Sequence, residues 1–202
     1  MSALEFLRVD AAAPQGAFLP VARSALDRLY RAADAGFAER DGWLVPASVP
    51  GEAERLEAVG LADLSHLTKL ELRPAGEPID LEGVVWYRIS PRRALVLCPA
   101  ALTQTVRERA GDRLVLDVTG GLAVLAIVGP EAETVLRRLT HLHHLPSGGE
   151  VAHVTAHVLR AGNGYWIVVA QELGEYLADV ALDRAEALGG GLVGVDRLGA
   201  AS

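Results

Sequence analysis

Gly60-Leu61-Ala62-Asp63-Leu64-Ser65-His66-Leu67-Thr68-Lys69-Leu70-Glu71-Leu72 decides how the rest of this chain is read. An amphipathic run closes at Gly60, a compact Asp-x-Ser-His turn follows, and an alternating strand leads away from it. Short polar side chains between a helix stop and a buried strand brace a turn or face a ligand. Asp63, Ser65 and His66 are near neighbours, whereas the members of a catalytic triad converge from separate segments. The bland expectation is therefore a turn in which Asp63 and Ser65 bond nearby backbone N–H groups.

Upstream, residues 1–19 have no clear period and contain Pro14 and Gly16, which predicts an extended lead-in. From Pro20 the apolar residues Val21, Ala22, Ala25, Leu26, Leu29, Tyr30 and Ala33 recur at helical spacing, with proline suited to the first position. Gly36 would end that helix. Residues 41–46 predict a turn, and residues 52–59 a short acidic helix with Gly60 as a left-handed cap.

Downstream, residues 84–89 and 94–98 read as strands joined by Ser90-Pro91-Arg92-Arg93. A helix over residues 100–109 and a strand over residues 113–118 follow. Residues 122–128 are almost wholly apolar, which predicts a strand buried on both faces. Residues 130–139 form the best-marked helix, with Glu131 and Glu133 in its first turn and Arg137 and Arg138 in its last. Residues 151–159 alternate as one strand, residues 166–170 as another, residues 172–188 as a helix, and residues 193–195 as a last strand. This order predicts an α+β fold with a mixed, largely antiparallel sheet and helices. It is expected to form one domain over residues 20–202, with residues 20–110 and 111–202 as two pseudo-halves.

Composition narrows the function classes. The chain has 202 residues, half of them hydrophobic and only 5% aromatic, enough for a sizeable aliphatic core. No apolar run approaches the roughly 18 residues of a membrane span, and the N-terminus lacks the features of a signal peptide. A single cysteine, Cys98, excludes an intramolecular disulfide and suits a reducing, cytoplasmic setting. The net charge of -7 argues against a general nucleic-acid binder.

Other chemistry-bearing residues have structural readings beside the functional ones. His141-x-His143-His144 follows the basic end of a helix, where imidazoles cap carbonyls or are solvated, and zinc sites add distant ligands. His153 and His157 would share a strand face roughly 13 Å apart, too far for one ion. No metal is expected. Asn163-Gly164 is a hairpin signal. Trp43, Trp86 and Trp166 could line a pocket for a flat ligand or fill the core.

The opening stretch resembles the Val-Gly-Leu-x-Asp-x-Ser-His segment of the aminomethyltransferase family. That family comprises the glycine-cleavage T-protein and its relatives, among them the γ subunit of heterotetrameric sarcosine oxidase. Asp41-Gly42-Trp43-Leu44-Val45-Pro46 is similar to its early Gly-Trp-x-x-Pro segment, and residues 84–101 to its central hairpin. Val128-Gly129-Pro130-Glu131-Ala132 is similar to its Gly-Pro-x-Ala helix start, and Gly194-Val195-Asp196-Arg197-Leu198 to a later segment. The resemblance implies a T-protein-like, folate-binding-type domain without the family's C-terminal barrel. Carried over residue by residue, it implies Asp63, Ser65, His66, Leu67 and Tyr87 as cofactor-facing positions, with tetrahydrofolate as the cofactor.

The same resemblance shows departures. Active members open the hairpin with an Asp-Asp pair whose second member is the catalytic acid, and an Asn at its end holds the pterin. Without gaps these positions fall on Glu82-Gly83 and on Pro99, which offer no acid at the second place and no amide at the third. The family's pterin-gripping Glu also lacks a counterpart near Gly162-Asn163-Gly164-Tyr165-Trp166. No catalytic residue is expected, with Glu82 the one acidic side chain that could substitute, its register pointing to the other face.

The resulting expectation is a non-catalytic, sarcosine-oxidase-γ-like subunit of a larger oxidase or one-carbon enzyme, with a homo-oligomer as a further assembly. A tetrahydrofolate-dependent enzyme or folate carrier is the alternative, with Arg88, Arg92 and Arg93 as a basic mouth. A small-ligand sensor or structural protein is the second.

Overall fold

In chain order the elements are β1 (Ala22–Arg23), α1 (Asp27–Ala32), β2 (Gly36–Arg40), β3 (Trp43–Ser48), α2 (Glu52–Leu56) and β4 (Gly60–Asp63). Next come β5 (Thr68–Arg73), β6 (Val85–Ser90), β7 (Arg93–Cys98), α3 (Thr103–Ala110), β8 (Leu114–Asp117) and β9 (Leu122–Val128). The last are α4 (Ala132–Leu139), β10 (Ser147–Val151), β11 (Val154–Ala161), β12 (Gly164–Ala170), α5 (Gly174–Glu186) and β13 (Gly191–Leu192). This computed structural model describes residues 20–200. The lead-in expected over residues 1–19 lies outside the described residues.

The wholly apolar β9 sits inside the largest sheet, whose six strands run β10-β11-β12-β9-β4-β13. A four-stranded sheet, β6-β7-β5-β8, faces it, and a small sheet, β1-β3-β2, stands apart. Pairing is antiparallel except for β13 with β4 and β1 with β3.

Side-chain alternation along β9 builds two cores. Ala123, Leu125 and Ile127 pack with Val135 and Leu136 of α4 and with Leu177 and Ala181 of α5. Val124 and Ala126 point the opposite way, against Leu95 and Leu97 of β7. Beyond them Leu70, Leu72 and Val96 pack on Val106 and Ala110 of α3. The main layers are thus helices, sheet, sheet and helix, and each fully buried aliphatic side chain contributes about 1.5–3 kcal/mol. The result is a mixed α+β fold with mostly antiparallel sheets.

Several local expectations are corrected. The helix expected from Pro20 starts only at Asp27, because Ala22 and Arg23 pair in parallel with Trp43 and Leu44. The turn expected over residues 41–46 shrinks to Asp41-Gly42, with β2 and β3 on either side. Gly60 caps no helix. It opens β4, and a β-carbon there would lie 2.7 Å from Leu56 and 2.9 Å from Val193, so close packing requires it. The single strand expected over residues 151–159 is the hairpin β10–β11, turned at Ala152-His153. His153 therefore sits in a turn and His157 in a strand, facing Tyr87 at 5.2 Å between ring centroids. No helix among the described residues is long and apolar enough to cross a membrane.

Candidate functional site

The turn after β4 is built by its own polar groups. Asp63 Oδ1 accepts the Ser65 N–H at 2.9 Å, the Ser24 hydroxyl donates to Asp63 Oδ2, and Ser65 Oγ accepts the Val124 N–H at 3.1 Å. Asp63 and Ser65 are both buried. The bonds match the turn read from the sequence, and they occupy both carboxylate oxygens of Asp63 and an acceptor position of Ser65 Oγ.

Lys69 follows this turn and is fully buried. Its ammonium donates to the carbonyls of Ser65 at 2.6 Å and Leu122 at 2.9 Å, and stands 5.6 Å from the centre of the Trp43 ring. Burial pushes it down to about 8, against the pull of Asp63 and Asp117. Burial also lowers His66, with Arg40 and Lys69 pushing the same way and Asp63 opposing them. The Nδ1 of His66 is buried without a hydrogen-bond partner.

A pocket of about 280 Å³ opens just beyond the turn. Leu64 and Leu67 come to it from the turn, Gly83 and Pro99 from the two ends of the β6–β7 hairpin, and Trp166 from β12. Gly162, Asn163 and Leu198 complete the parts that matter here. The lining holds no ionisable side chain, and its side-chain polar groups are the Asn163 amide and the Trp166 indole N–H.

Of the five positions that the resemblance implies as cofactor-facing, Asp63, Ser65, His66, Leu67 and Tyr87, only Leu67 lines this pocket, whereas Trp166, read from sequence as a possible pocket wall, does line it. Glu82 is exposed beside Gly83 and does not line it. Tyr87 is buried between the two facing sheets, in contact with His157. Arg88 is spent on the Gly76 carbonyl and Arg93 on Glu71, so neither forms a mouth to the pocket. His141, His143 and His144 are exposed, and no group of three metal-ligating side chains occurs among the described residues. Asn163, read from sequence as a hairpin signal, also lines the pocket. The departure of residues 162–166 from the family's loop was the signal that could have placed it there.

No family model matches the chain. An aminomethyltransferase of Streptomyces avermitilis is 27% identical, over 69% of this chain and 50% of the relative. The chain thus spans about half the length of the curated relative it matches. Among solved structures, a chain of heterotetrameric sarcosine oxidase from Corynebacterium sp. U-96 superposes with a TM-score of 0.58 at 22% identity, over 83% of this chain and 96% of that one. Glycine cleavage system aminomethyltransferase T from Bartonella henselae gives 0.66 at 19% identity, over 87% and 60%.

The chain has the T-protein fold. On that fold, the two hairpin positions where the resemblance expects an acid and an amide are Gly83 and Pro99, and the pocket joins them. The T-protein-like scaffold is therefore present while the pocket it forms is apolar. Gly83 has φ of 76°, in the left-handed region, so a side chain there would be strained even though a β-carbon would meet Leu102 at an ordinary 3.4 Å.

Proposed function

We propose that this chain is a non-catalytic, sarcosine-oxidase-γ-like subunit or accessory protein of a larger amine-oxidising or one-carbon enzyme. The observation that carries the reading is the lining of the 280 Å³ pocket, with Gly83 and Pro99 at the hairpin ends and no ionisable group. Acid–base chemistry needs a titratable group within hydrogen-bond reach of the reacting atom, and this wall has none. The extent of the match to the sarcosine oxidase chain, 96% of its length, supports a subunit of similar size and shape.

The test is a calorimetric titration of the purified chain with tetrahydrofolate and 5-formyltetrahydrofolate, beside affinity purification of the tagged chain from its own cells. Under this reading folate does not bind at millimolar concentration, and an oxidase or one-carbon enzyme is recovered in stoichiometric amount. Saturable micromolar folate binding, or a monomer recovered alone, overturns it. Folate binding would instead support a carrier, the reading favoured by the Asn163 amide and the indole of Trp166 in the same wall.

A further inference from the structure

A second, larger cavity of about 460 Å³ lies on the helix side of the six-stranded sheet. The pocket described above draws on residues of the core between the two sheets, such as Leu64 and Trp166, whereas this cavity draws on Leu139 and Ala152 of the helix-side core. Basic side chains from three separate elements line it: Arg137 and Arg138 from α4, Arg184 from α5, and His153 from the β10–β11 turn. His141 adds a second imidazole. In a chain of net charge -7 this is a local reversal of sign.

Helix capping does not account for it. Near the end of α4, the Leu136 carbonyl accepts the Thr140 N–H at 3.0 Å and the Leu139 carbonyl accepts the Ala152 N–H at 2.7 Å. Arg137 donates to the Leu142 carbonyl at 2.7 Å and also pairs with Glu133. Arg184 pairs with its neighbour Asp183, and the one acid of the lining, Glu150, stands 3.3 Å from His153. Arg138 is exposed and has no hydrogen-bond or ion-pair partner among the described residues. Exposed ion pairs such as those of Arg137 and Arg184 are weak and give way to a dianion.

The backbone fixes where one of these side chains stands. Ala152 and His153 both lie in the left-handed region, at φ of 48° and 66°, in a two-residue turn where glycine or asparagine is favoured. The turn is held there by the Ala152–Leu139 bond and by Thr140 Oγ1 donating to the Glu150 carbonyl at 2.6 Å. The turn places the His153 imidazole on the cavity rim. On the opposite wall Tyr176, Val180 and Arg184 recur every fourth residue along α5, so one stripe offers an aromatic ring, an aliphatic surface and a guanidinium.

We propose that this cavity binds a small organic phosphate, its phosphoryl group held by Arg138 and Arg184 and its apolar or aromatic body lying against Tyr176 and Val180. The bidentate fork of arginine suits a phosphoryl dianion, and the tyrosine face suits a planar body.

Calorimetry at low salt with phenyl phosphate, inorganic phosphate and succinate tests this on the intact chain. Phenyl phosphate should bind with Kd below about 1 mM and more tightly than either other anion. The variant Arg138→Gln/Arg184→Gln should weaken it at least about tenfold with an unchanged melting temperature, while Arg92→Gln, remote from the cavity, should not. Should the double variant be less stable, Arg138→Gln alone, which removes no native bond, is expected to weaken binding severalfold. No phenyl phosphate binding at about 10 mM overturns the proposal, as does equal binding by succinate or by Arg138→Gln. Inorganic phosphate binding as tightly as phenyl phosphate overturns the role given to Tyr176.

Discussion

The Lys69 ammonium donates to the Ser65 carbonyl at 2.6 Å, so the strand that leaves the Asp-x-Ser-His turn reaches back and fastens it. The cost is a buried cation. Unfolded, the amine titrates near 10.5; folded, near 8. Between these values the unfolded chain holds a proton that the folded chain has released, so stability rises with pH. Below that window both states are charged and the penalty is constant, about 3 kcal/mol at about 1.4 kcal/mol per pH unit.

Urea midpoints at about pH 7.5 and about pH 9.5 should therefore differ, the higher pH being the more stable. Lys69→Met is expected to remove the rise, leaving only the opposing effect of Cys98, whose thiol burial pushes up. A wild-type midpoint that does not rise contradicts the burial argument. Tyr30, whose phenol burial and Asp63 hold well above its usual value, acts in the opposite sense only at higher pH.

Glu52 ties the later chain to α2. Its Oε2 accepts the N–H groups of Val49 and Gly194, each at 2.9 Å, and its Oε1 accepts from Arg197 at 2.9 Å. Glu52→Ala leaves two backbone donors unpaired and should cost about 2–4 kcal/mol in urea denaturation. Glu52→Gln, which keeps an acceptor, should cost less.

The same carboxylate contributes to acid sensitivity. Burial pushes it up, yet the bonds from Gly194, Val49 and Arg197 leave it below its usual value. Glu71 is lowered by its bond to Arg93, against burial and with help from Arg73. Their stabilising effect is complete above the unfolded value of 4.5 and is lost as pH falls through the folded values. Glu52→Gln/Glu71→Gln should flatten the stability curve below about pH 4.5, measured by circular dichroism.

Two glycines should respond oppositely to alanine. At Gly164 a β-carbon would sit 2.2 Å from the Ile127 carbonyl, across the β12–β9 pair, while at Gly120 nothing lies within 4 Å. Gly164→Ala is expected to cost more than about 3 kcal/mol, and Gly120→Ala to be neutral or stabilising by about 0.5 kcal/mol. Thermal denaturation of both variants decides it.

If the apolar pocket contacts a partner subunit, Leu67→Lys should reduce the recovered partner at least about tenfold with a melting-temperature loss under about 5 °C. Leu67 is only partly buried, so the fold should tolerate the change. Undiminished recovery would remove the pocket from the interface.

Segments whose physics is local were legible in the sequence. Leu122–Val128 has one solution, a strand with both faces covered, and that is β9. In the Ala132–Leu139 helix, Glu133 in the first turn and Arg137 and Arg138 in the last agree with the expectation, although the helix starts two residues after Pro130. Errors arose where long-range pairing decides. Ala22 fits a helical period, yet it and Arg23 are claimed by β3. Residues 151–159 alternate in polarity as a single strand would, yet the turn at Ala152-His153 pairs Val151 with Val154 on one face, where an unbroken strand would set them on opposite faces. Lys69 and Glu71 look like a solvated strand face, yet a second sheet lies over that face. The apolar pocket was half legible: aligning the hairpin marked Gly83 and Pro99, but nothing in the sequence brings Leu64 or Val128 to the same wall.

The four-stranded sheet and α3 form one uninterrupted excursion between β4 and β9. The chain departs at Ser65 and returns at Val118, and the two crossings are stitched by Lys69 N–H to Thr119 Oγ1 at 3.0 Å and Val118 N–H to the Lys69 carbonyl at 2.9 Å. Because its ends meet, this excursion closes without further loop entropy once the seam is made. It can therefore open as a unit while the six-stranded sheet stays paired, a cooperative step that hydrogen exchange would show as shared protection from Thr68 to Asp117.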